Sequence, residues 1–81
     1  MPTRKSVELA FGEALRQVRR ERNLSQEQLA REPGLDRTYI SLIERELKSP
    51  TLRTVLKMAE VLDVTPSRIV RGMERRLARR S

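Results

Sequence analysis

The sequence predicts an all-α protein of a single domain with five helices. Apolar residues recur at helical spacing and never alternate over strand length, and polar capping residues stand ahead of the apolar runs. A chain of 81 residues leaves room for one core only. The domain is expected over residues 7–72, with an N-terminal arm at 1–6 and a basic C-terminal segment at 73–81 that is either a helical extension or a tail.

Val7, Phe11, Ala14, Leu15 and Val18 share one helical face and predict helix 1 from Val7 to Arg22. Asn23-Leu24 breaks the pattern, and Ser25 followed by Gln28 reads as a capping box that opens a short helix 2 to about Arg31. Pro33-Gly34 stops it, because proline removes a backbone donor and glycine takes the positive φ of a tight turn. Asp36 caps helix 3, which is expected to run to Arg45 or Glu46 with Ile40, Ile43 and Leu47 inward. Lys48 to Thr51 is a polar connection, after which Leu52, Val55, Leu56, Ala59 and Leu62 form the stripe of helix 4, capped by Ser49 or Thr51. Thr65-Pro66 marks the start of helix 5, whose apolar residues are Ile69, Val70, Met73 and Leu77. Whether it ends near Gly72 or continues is left open by the pattern.

The formal charge of +7, from 18 basic and 11 acidic residues, suits a polyanionic partner. With no cysteine and no histidine, thiolate metal sites, disulfides and the commonest general base are all missing. The expectation is a cytoplasmic protein with no catalytic residue, no metal and no cofactor. Ser6-Val7-Glu8-Leu9 follows the basic N-terminus where a signal sequence would be apolar, and no membrane-spanning stretch appears.

Helices 2 and 3, joined by a four-residue turn containing Gly34, have the form of a helix-turn-helix. Leu29, Ala30, Leu35, Ile40 and Ile43 stand where such a unit must be apolar or small; a side chain larger than Ala30 would push the two helices apart. With Leu24-Ser25-Gln26-Glu27-Gln28-Leu29-Ala30, Tyr39-Ile40-Ser41-Leu42-Ile43-Glu44-Arg45 and Pro50-Thr51-Leu52 leading to Ala59-Glu60-Val61-Leu62, the chain resembles the phage repressor and Cro-like (XRE-type) helix-turn-helix family. That family includes the small controller proteins of restriction-modification systems. The resemblance runs from about Phe11 to Gly72 and implies a lambda-repressor-like domain. Two positions depart from it: Pro33 stands where helix 2 usually continues, and Glu46 where glycine usually follows Glu-Arg. The first should shorten helix 2, and the second should strain the exit of helix 3.

The resemblance implies a transcription regulator that binds double-stranded DNA as a homodimer. Arg37, Thr38, Ser41 and Leu42 would read bases: the arginine bidentate to guanine, the hydroxyls to several bases, the leucine against a thymine methyl. Gln26, Tyr39, Arg45, Lys48, Ser49 and Thr51 would contact phosphates, with Arg4 and Lys5 on an arm along the backbone. Arg19 and Glu44 would form a half-buried ion pair that holds helix 3, with Arg19 also able to touch a phosphate. The dimer contact is expected on helix 5 at Ile69, Val70, Met73 and Leu77. The alternative function is an antitoxin or adaptor that uses the same fold to bind a protein partner or RNA.

Overall fold

Five helices make up residues 4–80, the part of the chain that the computed structural model describes: α1 Arg4–Glu21, α2 Gln26–Arg31, α3 Arg37–Glu44, α4 Leu52–Leu62 and α5 Pro66–Arg80. No strand occurs among the described residues. The helix starts follow the capping chemistry of the sequence. Ser25 Oγ accepts from the Gln28 N–H at 3.0 Å while Gln28 Oε1 accepts from the Ser25 N–H at 2.7 Å. Asp36 Oδ1 accepts from the Thr38 N–H at 2.9 Å. Of the two candidate caps for α4, Thr51 takes the role, its hydroxyl accepting from the Thr54 N–H at 3.2 Å.

The first four helices end in the same way. A left-handed residue (Asn23, Gly34, Glu46, Asp63) turns the chain, with φ between 57° and 73°. The N–H of the next residue then returns to a carbonyl five positions back, as Leu24 to Arg19, Leu35 to Ala30, Leu47 to Leu42 and Val64 to Ala59. This is the Schellman turn, which satisfies carbonyls that a helix end leaves unpaired. Glycine, asparagine and aspartate tolerate that φ; Glu46, at 64°, does so at a cost.

Leu15, Leu29, Ile40, Ile43, Met58, Leu62 and Ile69 are fully buried, so every helix contributes to one core. Each such side chain stabilises the fold by about 1.5–3 kcal/mol relative to an exposed one. Three leucines read as inward are not. Leu47, Leu52 and Leu56 are 62%, 76% and 51% exposed. Helix α4 turns Val55, Met58, Ala59 and Leu62 to the core, one narrow stripe, and this leaves Leu52 and Leu56 on its flank. Leu47 lies beyond the last turn of α3. Val7 is also more exposed than its pattern suggested.

The N-terminal end of the domain differs from the sequence-based boundary, and the C-terminal end takes the helical one of the two forms left open. Helix α1 begins at Arg4, so residues 4–6 form its first turn instead of an arm, and residues 1–3 lie outside the described part. Helix α5 runs through Gly72 to Arg80 because it lies along α1. A Cβ at Gly72 would meet Ala14 Cβ at 3.2 Å. Arg68 pairs with Glu21 at 2.7 Å, and Arg76 donates to the Gly72 carbonyl and to Gln17 and lies 3.5 Å from Glu13.

Gly12 marks the other close approach, between α1 and the end of α3: a Cβ there would lie 2.4 Å from the Ile43 carbonyl oxygen and 3.3 Å from that of Glu44. In an open helix, replacing glycine by alanine stabilises by about 1 kcal/mol. Here Gly12→Ala is expected to destabilise instead, by about 1–3 kcal/mol, because backbone must move. Glu46→Gly should do the opposite and stabilise by about 1 kcal/mol, raising Tm by roughly 4–8 °C for a domain of this size. Thermal melts of the two variants check both signs; a fall in Tm for Glu46→Gly would show that its side chain makes up for the strain.

Candidate nucleic-acid interface

Glu44, the last residue of α3, is fully buried, and two other helices, α1 and α2, supply its partners. Arg19 of α1 meets it with two prongs, Nε to Oε2 at 2.6 Å and Nη2 to Oε1 at 2.9 Å. Gln26 Nε2, at the start of α2, donates to Oε1 at 3.1 Å. Arg16 Nε lies 3.7 Å from Oε1, and its Nη2 donates to the Glu44 backbone carbonyl at 2.8 Å. The carboxylate is therefore paired with a guanidinium and accepts three hydrogen bonds, the condition under which a buried charge is tolerated. Arg16 and Gly12 escaped the sequence reading, although Arg16 stands three residues from Arg19 on the same face.

Arg19 engages all three of its guanidinium nitrogens within the domain. Its Nη1 donates to the Leu24 carbonyl at 2.8 Å and the residue is buried, so the structure gives it a positioning role at the end of α3. Gln26 is half-buried with its amide nitrogen turned to Glu44, and its position at the first turn of α2 leaves that helix start beside the exit of α3.

The clasp fixes which way α3 faces. Ile40, Ile43 and Glu44 point inward, which turns Arg37 and Thr38 fully outward, with Ser41 and Leu42 half-exposed and Arg45 exposed beyond them. Residues 37, 38, 41, 42 and 45 thus form one ridge on an otherwise buried helix. Asp36 sits at the N-cap, so its carboxylate stabilises the helix start and tempers the positive field there.

Around this ridge stand the other expected contacts. Lys48 Nζ lies 5.3 Å from the centre of the Tyr39 ring, which itself packs against the core. Ser49 is exposed in the loop, while the Thr51 hydroxyl is engaged at the cap of α4 and with Thr54 Oγ1 at 3.0 Å. The residues assigned to a dimer contact are not equivalent. Ile69 is fully buried in the core and cannot reach a second chain without unfolding, a correction to that assignment. Met73 packs on the same core, Leu77 is half-buried, and Val70 is exposed. Among the described residues no group of acidic side chains could hold a metal ion, and no helix is long and apolar enough to cross a membrane.

The chain matches the helix-turn-helix family model over residues 15–69. It is 44% identical to the control protein C.BamHI of Bacillus amyloliquefaciens over 62 residues, 75% of this chain and 76% of that protein. It is 37% identical to the immunity repressor of Bacillus phage phi105, over 76% of this chain and 43% of the repressor. Among solved structures, the restriction-modification controller protein C.AhdI of Aeromonas hydrophila superimposes with a TM-score of 0.73 at 40% identity, covering 76% of this chain and 94% of that one.

Removing the carboxylate from the clasp should be far more harmful than removing a surface charge. Glu44→Ala leaves the buried Arg19 without its partner, for which about 3–5 kcal/mol of destabilisation is expected. At roughly 4–8 °C per kcal/mol, Tm should fall by at least 12 °C. A melt within a degree or two of wild type would mean that water replaces the carboxylate.

Proposed function

Because the chain belongs to the helix-turn-helix family of phage-repressor and Cro-like (XRE-type) regulators, and is thus a DNA-binding regulator of transcription and not an enzyme, we propose that it binds a pseudo-palindromic operator in double-stranded DNA, as a homodimer with α3 in the major groove. The observation that carries this reading is the outward ridge of α3, held by a fully buried ion pair at its far end. A reading helix must present its side chains at fixed positions relative to the backbone contacts that set its register.

In this reading Arg37 donates to guanine O6 and N7, Thr38 and Ser41 hydrogen-bond neighbouring bases, and the exposed part of Leu42 touches a thymine methyl. Gln26 and the open amides at the start of α2 meet the phosphates on one side, helped by the helix dipole. Lys48 and Ser49, with Arg45, meet them on the other, and the Tyr39 ring under Lys48 holds that ammonium in place. Thr51 contributes through its position at the start of α4, since its hydroxyl already serves as the cap. The protein acts where the DNA is, in the cytoplasm.

One helix-turn-helix reads about half an operator, and pairing two recognition helices about 34 Å apart requires an interface close to them. Leu47, Leu52 and Leu56 supply it better than helix α5 does. In three of the Schellman turns the residue after the left-handed position, Leu24, Leu35 or Val64, packs on the core; Leu47 alone stays exposed. Leu52 and Leu56 follow one turn apart on α4. An exposed run of leucines beside the reading helix is where a second copy would bury apolar surface while keeping both α3 helices facing one duplex.

Selection of bound sequences from a random duplex pool tests the operator. A two-fold symmetric consensus is expected; a pool that shows no enrichment would refute sequence-specific reading. Arg37→Ala should cost about 1–3 kcal/mol on the selected site and relax preference at one base pair, whereas Lys48→Ala should weaken all sequences alike and lower the salt slope by about 1. For assembly, Leu52→Glu with Leu56→Glu should give a folded monomer with weak operator binding. Sedimentation that finds this variant still dimeric, and Val70→Glu monomeric, would return the interface to α5.

A further inference from the structure

The basic charge of the chain is not where the reading helix is. Between Ser25 and Thr51, acidic residues outnumber basic ones five to four. Helix α5 instead carries six arginines against one glutamate, a net of +5 within a chain whose total is +7. Two of these arginines are tied to α1: Arg68 to Glu21, and Arg76 to Gln17 and Glu13. Arg71, Arg75 and Arg79 are exposed and make no hydrogen bond or ion pair among the described residues.

These three stand at i, i+4 and i+8, on one side of α5, with successive attachment points about 6 Å apart. Phosphates rise about 3.4 Å along each strand of a duplex, so arginines at that pitch can reach successive or alternate ones. Arg68 extends the row by one turn, and Arg68 and Arg75 line both the hollow of about 320 Å³ between α1 and α5 and a shallower one on the outer side. The row repeats a single group, the guanidinium, whose fork of donors matches phosphate oxygens two at a time.

The row also lies behind the recognition helix. On α1, Gly12, Arg16 and Arg19 face α3, while Ala14, Gln17 and Glu21 face α5. At about 100° per residue these two sets fall on nearly opposite sides of α1. Helix α1 therefore stands between α3 and α5. Two interhelical spacings of 8–10 Å place α5 roughly 16–20 Å behind α3, away from a duplex that enters from the outer side.

We propose that Arg71, Arg75 and Arg79, extended by Arg68, form a second binding surface, one for the phosphate backbone of a duplex segment other than the one α3 reads. Such a surface recognises no sequence. It lets a molecule seated on its operator hold a second stretch of DNA, or transfer between stretches through contacts that release counterions.

The test uses the full chain and a triple variant, Arg71→Gln with Arg75→Gln and Arg79→Gln, whose folding is checked by circular dichroism and Tm. Arg20→Gln with Arg31→Gln and Lys57→Gln removes the same charge from other exposed positions and serves as the control. On beads carrying the selected operator, saturated with protein and washed, wild type and control should capture a labelled random-sequence duplex at about 50 mM salt and release it by about 200 mM. The α5 variant should capture at least tenfold less while its operator binding changes less than twofold. Independently of any operator, the salt slope for the random duplex in solution should fall by about 2–3 in the α5 variant, as for three lost phosphate contacts. That second arm keeps failure of this proposal separate from failure of the operator reading. Equal capture by the α5 variant, equal loss in the control, or retention of polyglutamate but not of DNA would each overturn the proposal, the last by assigning the row to an acidic protein.

Discussion

The carboxylate of Glu44 is the point on which this fold turns. It sits fully buried at the end of α3 and receives hydrogen bonds from α1 and α2, so one side chain sets the mutual placement of three helices. Desolvating such a pair costs several kcal/mol per ion, and its attraction repays this only with good geometry. The geometry here is two-pronged, with Gln26 as a second donor to Oε1 and Arg16 on the adjoining carbonyl. What the pair contributes is therefore less net stability than selection among packings: an apolar contact would let α3 rotate or slide, whereas a forked guanidinium accepts one orientation. Gly12 acts with it, because only a residue without a side chain lets α1 come close enough for Arg16 to reach the backbone of α3.

The turns obey a second constraint, economy of chain length. Each of the first four helices closes with a left-handed residue followed by an apolar one, and in two of them the third residue, Ser25 or Asp36, already caps the next helix. Three residues thus end one helix, anchor the turn in the core and start the next. The turn after α3 breaks the pattern twice. Its left-handed residue is Glu46, which pays for that φ in strain, and its apolar residue, Leu47, stays in solvent. Both departures fall beside the ridge of α3, where a contact with another molecule would explain them better than the needs of the isolated fold.

Much of the architecture was legible because caps and breakers act locally. Ser25 with Gln28, Pro33-Gly34 and Asp36 placed α2 and the start of α3 to within a residue, since each of these signals depends only on neighbours in the chain. Burial was less legible because periodicity says which residues share a face but not how wide the buried stripe is. Helix α4 offers Leu52, Val55, Leu56, Met58, Ala59 and Leu62, more apolar surface than its neighbours can cover, and the choice among them is made by packing. Continuation of α5 past Gly72 was undecidable for the same reason: a glycine near a helix end reads as a stop, and only the proximity of Ala14 shows it to be a contact. The charge asymmetry between α3 and α5 was countable from the sequence, but its meaning depends on knowing that α1 lies between them.

That asymmetry separates two physical tasks that a single basic patch would confuse. A reading surface gains specificity when wrong sequences bind poorly, and general attraction to phosphate raises right and wrong sites together. A segment with slightly more acid than base, Asp36 and Glu32 among its charges, keeps the sequence-independent term low at the proposed reading face. Basic charge distant from that face can then supply attraction to DNA without blurring discrimination, since in the proposal it engages a different stretch of duplex from the one under α3. With the ridge of α3 fixed by a buried clasp, and α5 tied to α1 through Arg68 and Arg76 while Arg71, Arg75 and Arg79 stay unpaired among the described residues, the two proposed surfaces also differ in their response to salt. Hydrogen bonds to base edges persist as ionic strength rises, while phosphate contacts weaken with counterion return. The two proposed surfaces, one salt-sensitive and one sequence-sensitive, thus lie on opposite sides of α1.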